Sequence, residues 1–325
     1  MAKRTKIELK PSTNKTFDRG YDEFIRYCKA RNLRKSTIKH YDDIVNYSFY
    51  YFLKYHFNTE KILIKDITSK IIEDYVIYMR EKTNSNDTTI NTNIRTMRTI
   101  FYYFMKLGYM ETFKIKLIKA DKEIIETYTD EELEILLKKP DVKKCNFTEY
   151  SCYVVINFLL GAGCRLRTLI NIKIQDLDFE NDVMIFKHTK NRRGQIIPMS
   201  LSLKNVLLEY LQYRQFENEE DWLFCNSYGE KMNETTLSGN LRAYNRRRGV
   251  MRTGIHRFRH TFAKKWILNG GDVFRLQKIL GHADMQIVRN YVEMFTTDLQ
   301  KDFNEFNPLE SLNTSKKHIK MRNFK

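Results

Sequence analysis

Six side chains of this 325-residue sequence stand in an order that suits phosphodiester chemistry. Arg165 follows the apolar run Leu159-Leu160-Gly161-Ala162-Gly163-Cys164, and Lys190 stands eight residues before Pro198 in a turn. His256 and Arg259 belong to the box His-Arg-Phe-Arg-His-Thr-Phe at 256–262; His282 follows Leu280-Gly281, and Tyr291 comes nine residues later. Substitution at a phosphodiester passes through a pentavalent arrangement with negative charge on the non-bridging oxygens. Two guanidiniums clamp such oxygens bidentately, which lysine does less well. Arg165 and Arg259 suit that role, with His256 and His282 as further donors. A neutral tyrosine is a poor nucleophile, and nearby cations favour its phenolate.

Taken singly, each residue has an ordinary reading. The chain holds 20 tyrosines, so the type alone does not single out Tyr291. Lys190 could be a solvated turn lysine, with Lys187 close by, and Arg165 could be a helix-end arginine bonding carbonyls. His256 and His260 have the spacing of a metal pair. The Arg-Phe-Arg between them lacks the Glu of a zinc protease motif, however, and two cations beside the site would repel a divalent ion.

The ordered set resembles the tyrosine recombinase (phage-integrase-type) family. The matching pieces are Gly-Cys-Arg-Leu around Arg165, the hairpin Thr-Lys-Asn-Arg-Arg-Gly-Gln-Ile-Ile-Pro around Lys190, and His-x-x-Arg-His-Thr-Phe-Ala from His256. Leu-Gly-His-Ala-Asp at 280–284 and Arg-Asn-Tyr-Val around Tyr291 complete it. Upstream, Asn32-Leu33-Arg34-Lys35-Ser36-Thr37-Ile38 and the helix Thr88–Phe104 look like the family's core-site-binding domain. The resemblance implies a site-specific DNA recombinase in which Tyr291 attacks the scissile phosphate to give a 3′-phosphotyrosyl bond. It implies Lys190 as general acid for the departing 5′ oxygen, Arg165, Arg259, His256 and His282 around the phosphate, and His260 as structural. Neither ATP, metal nor cofactor is called for. In the family an acid usually stands three residues after the first arginine; here that place holds Thr168, and Asp176 and Asp178 are the candidates to replace it.

Elements that could position these residues are legible in the apolar pattern. Phe17, Tyr21, Phe24, Ile25 and Cys28 recur at the helical period. Ser36 reads as N-cap of a second helix with Ile38, Tyr41, Ile44 and Val45; a third covers Ser69–Arg80, and a fourth is capped by Thr88. Thr129 and Glu132 form a capping box opening a helix at Asp130–Lys139. Further helices are expected at Thr148–Gly161, Ser202–Arg214, Glu234–Arg248, His256–Leu268, Val273–Leu280 and Met285–Met294. Val183–Lys187 and Gln195–Pro198 read as a β-hairpin. The expected fold is therefore mainly α with a small antiparallel β-sheet: a four-helix core-DNA-binding domain and a mixed α/β catalytic domain. The expected divisions are a flexible basic N-terminus (1–15), the helical DNA-binding domain (16–112), a linker (113–127), the catalytic domain (128–312) and a basic tail (313–325). With about fifteen residues before the first helix, no separate arm-type DNA-binding domain is expected.

Charge points to the partner. The chain carries 57 Lys and Arg against 40 Asp and Glu, a net charge of +17, and nine basic residues without an acid lie between Arg242 and Lys265. Clustered cations of this kind release counterions from a phosphate backbone. Double-stranded DNA is the expected partner, contacted in the first domain by Arg34, Lys35, Ser36, Thr37, Lys39, Thr88, Asn91, Arg95 and Arg98. Family analogy adds a homo-tetramer on paired sites formed from free monomers, docking of 295–312 through Phe303, Phe306 and Leu309 on a neighbour, and an accessory DNA-bending or excision factor. The longest apolar stretch, Tyr153–Gly163, is too short to span a bilayer, and no secretory signal opens the chain. Five cysteines, odd in number and without a CxxC pair, suggest a reduced protein, expected in the cytoplasm with the nucleoid of a prokaryotic host. The alternatives are a catalytically weak or inert DNA-binding regulator of the same fold, a type IB topoisomerase or telomere resolvase, and a metal-dependent nuclease. The last would require a carboxylate cluster, and none lies near these boxes. The role expected is integration or excision of a mobile element or prophage.

Overall fold

Aromatic and branched apolar residues at the helical period give the N-terminal unit its elements. A computed structural model of the chain describes residues 14–57, 61–121, 126–187 and 194–281. It divides the chain into two units, Met1–Glu123 and Ile124–Lys325. In the first, α1 (Phe17–Ala30) buries Phe17, Tyr21, Phe24 and Cys28 along one stripe. The second helix runs further than its spacing suggested: α2 (Lys35–Ile44) passes through a π-turn, Val45–Phe49, into α3 (Tyr50–Phe57). Its N-cap is Arg34; Ser36 lies inside the first turn. α4 (Ser69–Glu81) and α5 (Asp87–Lys106) complete the unit. α5 is capped by Asn86, whose side chain accepts from the Thr89 amide at 2.8 Å, so the helix starts before the expected cap Thr88. Phe17, Phe49, Phe101 and Phe104 form the centre of the core, with Phe17 and Phe49 centroids 5.3 Å apart.

The first six residues of the stretch expected as a linker, 113–118, are packed against this unit. Ile115 is buried in its core, with Phe113, Leu117 and Ile118 against it. Asn91 holds the segment: its amide donates to the Ile118 carbonyl and accepts from the Ile118 N–H, both at 3.0 Å.

The second unit is built around a helix apolar on nearly every face, the pattern of a core helix. α7 (Phe147–Ala162) buries Tyr150 to Ile156, Phe158, Leu159 and Ala162. It packs against α6 (Asp130–Leu137), α9 (Leu201–Tyr213), α10 (Glu234–Arg247) and α11 (Ile255–Leu268). Side-chain caps set the starts of α6, α7, α9 and α10, at Thr129, Asn146, Ser200 and Asn233, each worth about 1 kcal/mol. The short α8 (Leu166–Leu169) follows α7, and α12 (Val273–Leu280) follows α11. The expected hairpin is present, with β2 (Val183–Phe186) antiparallel to β3 (Gln195–Pro198) and Phe186 opposite Gln195. A third strand, β1 (Leu177–Asp178), pairs with β2 on its other edge; at two residues it is too short to show a period of two. Met184, Phe186 and Ile197 face the core, while Ile196 points out, as strand alternation requires.

Tyr128 ties the start of this unit to α11. It stacks on Phe258 with centroids 4.4 Å apart, and its N–H donates to Thr261 Oγ1 at 3.0 Å. The five cysteines are unbridged, four of them buried. No described helix is long and apolar enough to cross a membrane.

Candidate active site

α7 ends where Gly163 turns left-handed, at φ 57°. A Cβ there would run into the Phe262 ring and stand 3.0 Å from Leu280 Cδ2, so the turn requires glycine on both counts. The chain then passes through buried Cys164 and delivers Arg165 as the N-cap residue of α8. Arg259 lies in the second turn of α11, only 5% exposed. Its Nη1 donates to the Gly163 carbonyl and its Nη2 to the Leu280 carbonyl, each at 2.7 Å. Arg165 Nη1 reaches the same Leu280 carbonyl at 3.5 Å. The guanidiniums expected to clamp a phosphate thus meet at one oxygen. That oxygen closes α12, and a helix carboxyl end carries partial negative charge that favours such cations.

The ring of His256, in the first turn of α11, is partly desolvated, and its pKa is lowered by that desolvation and then by the charges of Arg259 and Arg165. The three described members of the predicted set therefore share one electrostatic neighbourhood. His260, one turn on, is driven down to about 4, by burial first and then by His256, Arg259 and Arg257. Its ordinary value is 6.5, so as pH falls the unfolded chain takes up the proton first and the folded state loses ground. The contribution is complete above about pH 6.5 and is lost on descending towards pH 4. The melting temperature is expected to fall across that window more steeply for the native chain than for His260→Gln. Identical slopes in calorimetric scans would contradict this.

The carboxylates proposed to replace the missing acid do other work. Asp176 is buried, accepts the Lys173 N–H at 3.0 Å and pairs with Lys187 at 2.6 Å. Asp178 accepts the Glu180 and Asn181 N–H groups in the β1–β2 turn. Neither braces Arg165 among the described residues; its Nη1 donates to the Leu280 carbonyl instead, and Thr168 is buried in α8. Lys190, His282 and Tyr291 lie outside the described residues, as do helix Met285–Met294, the segment 295–312 and the tail. Their chain neighbours are fixed: Lys187 by Asp176, and Gln195 by side-chain amide bonds to the carbonyls of Lys278 and, at 3.1 Å, Ile279. Gln195 was not among the predicted residues. No cluster of three His, Cys, Asp or Glu that could hold a metal ion occurs among the described residues.

In the first unit, Lys35, Ser36 and Lys39 are exposed on α2 with Arg34 and Thr37 half-buried beside them. Thr88 and Arg95 are exposed on α5, and Arg98 is half-buried. Asn91 departs from that set: it is 5% exposed and its amide is taken up by Ile118.

Comparison with known proteins covers both units. The family described as "Phage integrase family" matches residues 126–297, and "Phage integrase SAM-like domain" matches residues 17–122. Tyrosine recombinase XerC of Staphylococcus aureus (strain bovine RF122 / ET3-1) is 26% identical over 297 residues, 88% of this chain and 96% of that protein. The Tn1549 transposon integrase in complex with transposon right end DNA has a similar structure. Its TM-score is 0.71 at 20% identity, over 85% of this chain and 94% of that one. A lambda integrase dimer bound to a COC′ core site gives 0.67 at 15% identity, over 85% and 95%. A lambda integrase tetramer bound to a Holliday junction gives 0.67 at 15%, over 86% and 78%. These structures establish likeness of fold.

Proposed function

Given that the chain belongs to the phage integrase family and is a tyrosine-type site-specific recombinase, we propose that it exchanges DNA strands through a 3′-phosphotyrosyl intermediate, in the integration or excision of a mobile element. The observation that carries this reading is the meeting of Arg259 and Arg165 at the Leu280 carbonyl, two residues before His282 in the chain. Two fixed positive charges at one point suit a phosphorus centre whose charge grows on the way to the transition state.

The Tyr291 phenolic oxygen attacks the scissile phosphorus, the bond to the 5′ oxygen breaks, and the 3′ phosphate becomes esterified to the tyrosine. His256, read from the sequence as a donor, would in its neutral form accept the phenol proton as the tyrosine attacks. Lys190 gives a proton to the departing 5′ oxygen. Arg165 and Arg259 neutralise the non-bridging oxygens, with His282 as a further donor. The 5′ hydroxyl of a partner strand then attacks the phosphotyrosyl phosphorus and releases Tyr291. One ester is exchanged for another, so bond energy is conserved and no ATP is required. The exposed cations of α2 and α5 would contact the flanking duplex, and four protomers would act on two paired sites.

The test uses nicked duplexes drawn from the DNA flanking the coding sequence, incubated with the full chain in EDTA and resolved on a denaturing gel. A covalently shifted protein band is the expected result. No shifted band with any flanking duplex, or one that appears only when magnesium is restored, overturns the proposal.

A further inference from the structure

We infer that Thr261 is a positioning residue for Arg259 and His256: its hydroxyl fastens α11 to residues 126–130, which clasp the helix on the side away from those two groups. The consequence for catalysis rests on the recombinase reading above, and the structural content rests on geometry alone. At 3.6 residues per turn, His256 and Arg259 lie on one side of α11, whereas Arg257, Phe258, Thr261, Lys264 and Lys265 lie on the other. Each of those five meets the segment at the start of the second unit. Arg257 Nη1 donates to the Glu126 carboxylate at 2.9 Å and to its carbonyl at 3.2 Å. Lys264 Nζ reaches Thr127 Oγ1 at 3.4 Å, Lys265 pairs with Asp130, and Phe258 carries the Tyr128 ring. Thr261, fully buried, stands at the centre of that side. Its hydroxyl accepts the Tyr128 N–H at 3.0 Å and donates to the Arg257 carbonyl at 2.8 Å. The basic run read from the sequence is therefore in part an internal clasp, since Arg252, Arg257 and Lys265 pair with Glu132, Glu126 and Asp130.

The clasp supplies what the packing of α11 on α7 lacks. Apolar contact is non-directional and resists separation more than rotation, whereas a hydrogen bond holds an angle. The Gly163 and Leu280 carbonyls fix the far end of Arg259; the clasp fixes the helix from which Arg259 and His256 both extend. Without Thr261 Oγ1, the N–H of Tyr128, a residue only 2% exposed, is a buried donor that must find another acceptor, and the segment moves with it. Rotating a helix by about 10° carries a group about 6 Å from its axis through about 1 Å. A misplacement of about 1 Å at a reacting centre can cost on the order of 10²-fold in rate.

Thr261→Val keeps the shape and removes the hydroxyl; Thr261→Ser keeps the hydroxyl. Both are compared with the native chain at saturating protein, at a temperature where circular dichroism shows all three folded. Thr261→Val is expected to form the covalent adduct about 10-fold more slowly, with DNA affinity within about 2-fold, and Thr261→Ser to recover most of the rate. Tyr128→Leu, which removes the stack on Phe258 and spares Thr261, should cost a similar factor. Combined with Thr261→Val it should cost less than the product, because both changes loosen one clasp. If Thr261→Val does not fold, Tyr128→Leu carries the same expectation alone, and a native rate in it overturns the inference. So does a native rate in Thr261→Val, a Thr261→Ser chain as slow as Thr261→Val, or a multiplicative loss in the double variant. The geometric claim has its own readout, independent of turnover. The side-chain resonances of Arg259 and His256 should move in Thr261→Val and return in Thr261→Ser, and resonances that stay in place overturn it. If the native chain forms no adduct, the recombinase reading fails, and those resonances still decide whether Thr261 sets the two side chains.

Discussion

Tyr291→Phe is expected to form no covalent adduct with DNA while binding it as the native chain does. The substitution removes one oxygen and leaves the ring. Affinity for a duplex comes chiefly from Lys and Arg contacts to phosphates, of which this chain of net charge +17 has many, so a gel shift should change by less than about 2-fold. The chemical step has no comparable reserve. Removing a nucleophile from a preorganised site costs about 10⁴- to 10⁶-fold, because the remaining groups act only on a phosphorus that is being attacked. Neither Arg165 nor Arg259 can replace it: a guanidinium stays protonated at any accessible pH. The control is built into the composition. With 20 tyrosines in the chain, an adduct that persists in Tyr291→Phe would assign the nucleophile to another of them. An adduct that disappears together with DNA binding would mean the hydroxyl was needed for folding or assembly.

How far the site could be read from sequence depends on the kind of atom involved. Arg165, His256 and Arg259 were legible because their types and spacing are unusual; the structure brings the two arginines to one carbonyl, and their charges lower the pKa of His256. What holds them was not legible. Gly163 and Leu280 bind through backbone carbonyls, which every residue has, and Gln195 reaches partners more than eighty residues away along the chain. The missing acid led to Asp176 and Asp178 because only side chains can be searched for in a sequence. Their carboxylates are engaged by Lys187 and by turn amides instead. Element types were readable from periodicity, but ends were not. Asn86 caps α5 where Thr88 was expected, since several polar residues near a helix start can compete for the position, and α2 begins after Arg34 with no side-chain cap, so Ser36 falls inside its first turn. Asn91 shows the same limit in reverse: a polar residue on an expected surface helix is buried because a backbone segment, residues 113–118, comes to satisfy its amide.

Arg259→Ala should be damaging in two separable ways, and Arg259→Lys tells them apart. Arg259 is 5% exposed, and its two 2.7 Å bonds join the end of α7 to the end of α12. Alanine leaves the Gly163 carbonyl without that donor, and among the described residues Leu280 keeps only the long bond from Arg165. An unsatisfied buried carbonyl costs about 1–3 kcal/mol, so with the lost packing of the side chain the alanine variant should be destabilised by about 2–4 kcal/mol, measurable by denaturant unfolding. Lysine restores positive charge and one strong bond, and most of that stability with it. Lysine cannot restore the fork. A guanidinium presents donors in one plane at fixed angles, allowing a single side chain to bridge two carbonyls while its charge faces a phosphate; an ammonium is a point charge on a flexible stem. If the fork is what the reaction needs, Arg259→Lys should fold nearly as well as the native chain and still form adduct about 10²- to 10³-fold more slowly, the loss expected for one misdirected transition-state donor. A lysine variant that cleaves at the native rate would show that charge alone suffices, and the convergence at Leu280 would then serve folding rather than catalysis.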